Sequence, residues 1–169
     1  MYLKQIGIGK ESKTNIAFEK VVDDLLMISI INDFQNDEIL SYWRLTKVTG
    51  IPPLEIGINC KSNYLASITF YIDATYKVEH DSANVVVERG NVLVDTSIFT
   101  HTNEYFDVCQ SYSVQLKNDA LHCFFERGTC FKNSYKTDKL EIFVDSENQI
   151  VGFAICDLPS EQIDMIKSL

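Results

Sequence analysis

The stretch that most constrains this chain is "YLASITFYIDATYKVEH", residues 64–80. Tyr64, Ala66, Ile68, Phe70, Ile72, Ala74, Tyr76 and Val78 alternate with Leu65, Ser67, Thr69, Tyr71, Asp73, Thr75, Lys77 and Glu79. Successive side chains of a strand point to opposite faces, so this period of two describes a strand with one face on a core and the other in water. A strand usually ends within about ten residues, which places a bend or bulge near Asp73-Ala74. Such a strand leaves half its surface apolar and demands further strands to cover it.

Further strand signals follow. "LEIGINC" places Leu54, Ile56, Ile58 and Cys60 on one face, and "YFDVCQSYSVQL" does the same for Phe106, Val108, Tyr112, Val114 and Leu116. "ALHCFFE", "CFKNSY", "KLEIFVD" and "QIVGFAIC" complete the set, with "SEN" between the last two. Their short connections leave no room for crossover helices, so the sheet is expected to be antiparallel.

Glu-Arg-Gly occurs twice between apolar runs, in "VVVERGNVLV" and in "CFFERGTCF". A type I turn accepts most residues at its centre and favours glycine next, so the pair reads as two hairpin loops with Gly90 and Gly128 in the left-handed region.

The ends differ. "NIAFEKVVDDLLMISI" spaces Phe18, Val21, Val22, Leu25 and Leu26 as a helix would, with Thr14 or Asn15 as cap. "NDEILSYWRLTKV" fits a helix capped by Asp37 or a strand through Ile39, Ser41 and Trp43. Gly50-Ile51-Pro52-Pro53 breaks the chain. In "LPSEQIDMIKSL" Pro159 suits a first helical turn, and Ile163, Ile166 and Leu169 form an apolar stripe. The expected fold is α+β: a predominantly antiparallel sheet or flattened barrel of about seven or eight strands. A helical N-terminal region is expected over residues 1–50, the sheet over 54–156 and a C-terminal helix over 158–169, all in one domain.

Charge narrows function. The 169 residues carry a net charge of −9, with Asp and Glu numbering 24 against 15 Lys and Arg. Such a chain is repelled by phosphate backbones and by anionic lipid surfaces, so neither nucleic acid nor a membrane is an expected partner. A cationic protein would be attracted. The N-terminus lacks the apolar core of a signal peptide, and the five cysteines include no Cys-x-x-Cys pair, which fits free thiols in a reducing cytoplasm.

Catalytic motifs are missing from the sequence. His80, His101 and His122 show no metal-ligand spacing, and no nucleophile signature surrounds any Ser or Cys. "GIGKES" lacks the spacing of a phosphate loop and reads as an N-terminal turn. A pocket in a barrel mouth would draw on Tyr112, His122 and Cys109. No cofactor and no metal are expected. The acids cluster instead: Asp23, Asp24, Asp33, Asp37 and Glu38 lie in one stretch, and Asp145 and Glu147 lie within the acidic run 138–164. Tyr71, beside Thr69 and Asp73 on the polar face of the long strand, is a candidate contact residue.

Size, acidity, a sheet with flanking helices and no catalytic signature together resemble the immunity proteins of bacterial contact-dependent and polymorphic toxin systems. That resemblance implies a non-enzymatic monomer or weak dimer that binds a cognate, basic toxin domain and blocks it sterically and electrostatically. Asp23, Asp24, Asp33, Asp37, Glu38, Tyr71, Asp145 and Glu147 would be its contacts. Acidic chaperones for secreted effector proteins share the size and charge, and a small-ligand-binding β protein is the third expectation.

Overall fold

A computed structural model describes residues 2–32, 39–47, 50–78, 85–126 and 130–169. Among these, fifteen strands and one helix follow in order: β1 (Gln5–Gly9), β2 (Thr14–Val22), β3 (Leu25–Asn32), β4 (Leu40–Leu45), β5 (Leu54–Asn59), β6 (Leu65–Ile72), β7 (Lys77–Val78) and β8 (Val86–Arg89). Then come β9 (Asn91–Val94), β10 (Tyr105–Val108), β11 (Tyr112–Lys117), β12 (Ala120–Phe125), β13 (Asn133–Thr137), β14 (Leu140–Val144), β15 (Ile150–Ile155) and α1 (Ser160–Lys167).

The strands form two large sheets and a ribbon. One sheet has six strands in the order β10-β4-β5-β6-β3-β2, the other seven in the order β7-β11-β12-β15-β14-β13-β8, and β1 pairs with β9. Alternation puts Ile28, Ile30, Trp43, Leu45, Ile56, Ile68 and Phe70 of the first sheet into the same core as Leu121, Phe125, Ile142, Phe153 and Ile155 of the second. The rings interlock across the gap, Trp43 against Phe125 at 5.3 Å and Phe70 edge-on to Phe153 at 5.1 Å. Two apolar sheet faces buried against each other make a sandwich. Leu3, Val92 and Val94 of the ribbon region join the same core, and so does the helix through Ile166, with Ile163 and Leu169 packed beside it.

The expected α+β fold of seven or eight strands is corrected to a mostly β one of fifteen strands, and among the described residues no barrel closes, because both large sheets end in edges with no further strand beside them. Nor do the described residues of 1–50 form the expected helical region. Residues 14–32 form the antiparallel hairpin β2–β3, closed by the two-residue turn Asp23-Asp24. Each strand alternates on its own, with Leu26, Ile28 and Ile30 buried and Val21 and Val22 exposed. The turn shifts the phase between the two arms, and that shift imitated a 3.6-residue period. Residues 40–45 resolve as strand, Ser41, Trp43 and Leu45 facing in. "GIGKES" is also corrected, since Gly7 and Gly9 belong to β1.

Among the described residues pairing is antiparallel except at three edges. β10–β4, β11–β7 and β13–β8 run parallel, each using a two- to four-residue edge strand. The long strand breaks where expected: Asp73 Oδ1 accepts from the Thr75 amide at 2.9 Å and opens a turn between β6 and β7. Neither Glu-Arg-Gly segment closes a hairpin. β8 and β9 adjoin in sequence, yet they pair with different partners, β13 and β1. The chain changes sheets at Gly90, whose φ is +143°. A Cβ there would meet Ile8 Cγ2 and the Gly9 carbonyl oxygen, so glycine is required by the close approach of β1 as well as by φ. In the second segment β12 and β13 are separated by β15 and β14, and Gly128 lies outside the described residues. In this sheet the hairpins are β11–β12, β13–β14 and β14–β15, with Asn118, Asp138 and Asn148 at positive φ, where these two residue types are tolerated.

Candidate binding face

Register turns the outer face of the six-stranded sheet into rows. Tyr105, Tyr42, Gly57, Ser67, Ile31 and Asn15 are successive neighbours across the strands. Asp107, Arg44, Glu55, Thr69, Ser29 and Ala17 form the next row. One half of the face is therefore aromatic and charged, and the other half is small and hydroxylic.

The charged half satisfies itself. Arg44 donates from Nε and Nη2 to the two oxygens of Asp107 at 2.6 and 2.9 Å, and its Nη1 lies 3.6 Å from Glu55. Its guanidinium sits 4.6 Å above the Tyr105 ring. The hydrogen bonds to Asp107 hold the Arg44 pKa above its ordinary value, with smaller help from Glu55. Tyr42 stacks on Tyr105, centroids 5.3 Å apart and planes at 15°. Partial burial raises the Tyr42 pKa, and the nearby Tyr105 and Glu55 add to it.

The small half is hollow. Ser67, Thr69, Ser29 and Ala66 lay down little bulk between Leu40 and Tyr42 on one side and Ile31 on the other. A groove of about 360 Å³ results, closed at one end by Asn32, Asn59, Ser62 and Tyr64. Its lining includes one carboxylate, Glu55, and no Lys, Arg or His among the described residues. Asn32 is only 5% exposed; its Nδ2 donates to the Leu65 carbonyl at 2.7 Å, and its Oδ1 is buried without a hydrogen-bond partner among the described residues.

The outer face of the seven-stranded sheet is closed. Phe124 and Phe143 flank Gly152 across β12, β15 and β14, and their rings meet over it at 5.5 Å. Phe131 stacks on Phe143 at 4.3 Å and His122 at 5.6 Å. Cys156 borders this cluster.

The sequence-derived candidates scatter over this frame. Asp23 and Asp24 form the exposed β2–β3 turn, where Asp23 lies 3.6 Å from Lys20. Asp145 and Glu147 lie in the β14–β15 turn, and Asp145 Oδ1 is used there, accepting the amides of Glu147 and Gln149 at 2.8 and 2.9 Å. These turns stand at opposite ends of the sandwich. The first adjoins the Ile72 end of β6; the second, through Gln5 and the ribbon, adjoins Asn63 at the other end. Tyr71 is on the outer face near the Asp23 end. Its carbonyl accepts from the Tyr112 hydroxyl at 2.8 Å, and with Tyr112, Asp73 and Tyr76 it lines a small cavity of about 150 Å³. Burial pushes the Tyr112 pKa well up. Asp33, Asp37 and Glu38 lie outside the described residues.

Tyr112, His122 and Cys109 do not converge. Tyr112 packs on the core, His122 lies on the outer face of its sheet, and Cys109 is exposed beyond β10. Among the described residues no three His, Cys, Asp or Glu side chains meet in a metal-sized cluster. The Cys123 thiol is fully buried and its pKa is raised strongly; desolvation lifts that of Cys156 to about 11, so both are thiols at neutral pH and poor nucleophiles. No helix among the described residues is long and apolar enough to cross a membrane.

Tyr42, Gly57 and Ser67 escaped the sequence reading. Their signal was present in part: "LEIGINC" puts Gly57 on the face opposite its apolar residues, and Tyr42 alternates with Trp43. Compared with protein-family models and with curated proteins, the chain matches none.

Proposed function

We propose that this protein is a non-enzymatic binding protein of the immunity type, which holds a cationic protein partner on the outer face of its six-stranded sheet. The observation that carries the reading is the open groove on that face, acceptor-rich and lined by a carboxylate but by no cationic side chain among the described residues. A net charge of −9 supports it, because opposite charge speeds encounter and disfavours anionic competitors. Steric cover of the partner by the sheet would be the mode of inhibition.

The test is the product of the gene immediately upstream. It should bind one to one, with affinity that falls as salt rises and that Glu55→Lys reduces by about tenfold or more. Absence of binding, or binding indifferent to both salt and Glu55→Lys, overturns the reading. A second reading, a small-ligand binder, is favoured by the groove volume, which falls in the range of small-molecule sites. Native mass spectrometry of the purified protein would then show a bound compound.

A further inference from the structure

We draw no further inference here: the strongest candidate, the outer edge of the nine-residue strand β2, which ends the six-stranded sheet with Val21 and Val22 exposed, is without a further strand beside it among the described residues, and nothing in the structure shows what covers it.

Discussion

Gly57 and Gly152 sit at matching places, each on the outer face of an interior strand, and they have opposite consequences. Gly152 is flanked by Phe124 and Phe143, whose strands are about 10 Å apart with the glycine strand between them. The missing side chain lets the two rings meet, and Phe131 stacks on top. Gly57 is flanked by Tyr42 on one side and Ser67 on the other. No two rings meet over it; the Ser67 hydroxyl, a Leu40 methyl and the edge of the Tyr42 ring stand where its Cβ would be, and these three residues line the groove beside it. A glycine in a sheet is therefore neither a hole nor a seal by itself. The residues on the two adjacent strands decide, and here they seal one face of the sandwich and open the other.

The sharpest break of this comparison is removal of the seal. Phe143 is 2% exposed, and Phe143→Ala should cost about 3–5 kcal/mol in urea denaturation, whereas half-buried Tyr42→Ala should cost about 1 kcal/mol. Equal costs would mean that the two faces are packed alike. The glycines themselves come next. A Cβ at Gly152 meets the Cys123 carbonyl oxygen and the Phe124 backbone, which cannot turn away, so Gly152→Ala should cost about 2–3 kcal/mol. At Gly57 the obstacles are the side chains of Ser67, Leu40 and Tyr42, and the groove gives them room; Gly57→Ala should stay within about 1 kcal/mol while shrinking the groove.

A third test concerns a tie across the two faces. Asp138, in the β13–β14 turn of the closed sheet, accepts from the amide and hydroxyl of Thr14 at 2.9 and 3.0 Å, at the start of β2 in the open sheet. These bonds to its charged form hold its pKa below the ordinary carboxylate value. The native pKa is depressed, so the contribution is complete above about pH 3.9 and is lost as pH falls through the lower native value. Asp138→Asn should cost about 1 kcal/mol at neutral pH and less in acid, as thermal melts at two pH values would read.

The smallest effect is one of access. Cys109 and Cys130 are exposed and should react promptly with a thiol reagent at pH 8, whereas Cys156, at the closed face with a pKa of about 11, should lag. Phe143→Ala should speed the labelling of Cys156. If Cys156 reacts as fast as Cys109 in the intact protein, the closed face is not closed.

Local chemistry was legible where it was local. The turn at Asp73 stands at its expected place because a carboxylate can bond its own backbone two residues on. The C-terminal helix follows from Pro159 and the stripe through Ile166. Gly90 was correctly singled out as a position needing glycine, but for a hairpin that does not exist. The hairpin at 14–32 was hidden because two β-branched arms joined by a two-residue turn mimic a helical period. The candidate face was harder still. Arg44 and Asp107 are 63 residues apart, and nothing near either announces the other.

The sequence by itself determined a strand-rich stretch from residue 54 onward, a C-terminal helix, an inward apolar face on those strands and an acidic composition, since alternation, turn residues and charge act within a few residues; its helical reading of residues 1–50 was wrong. Tertiary structure alone decided which strands became neighbours. That choice depends on the packing of two whole sheets through Trp43, Phe70, Phe125 and Phe153, a sum over distant contacts that no short window contains. It placed two phenylalanines beside one glycine and a tyrosine and a serine beside another, and with that it chose which face of the molecule stays open.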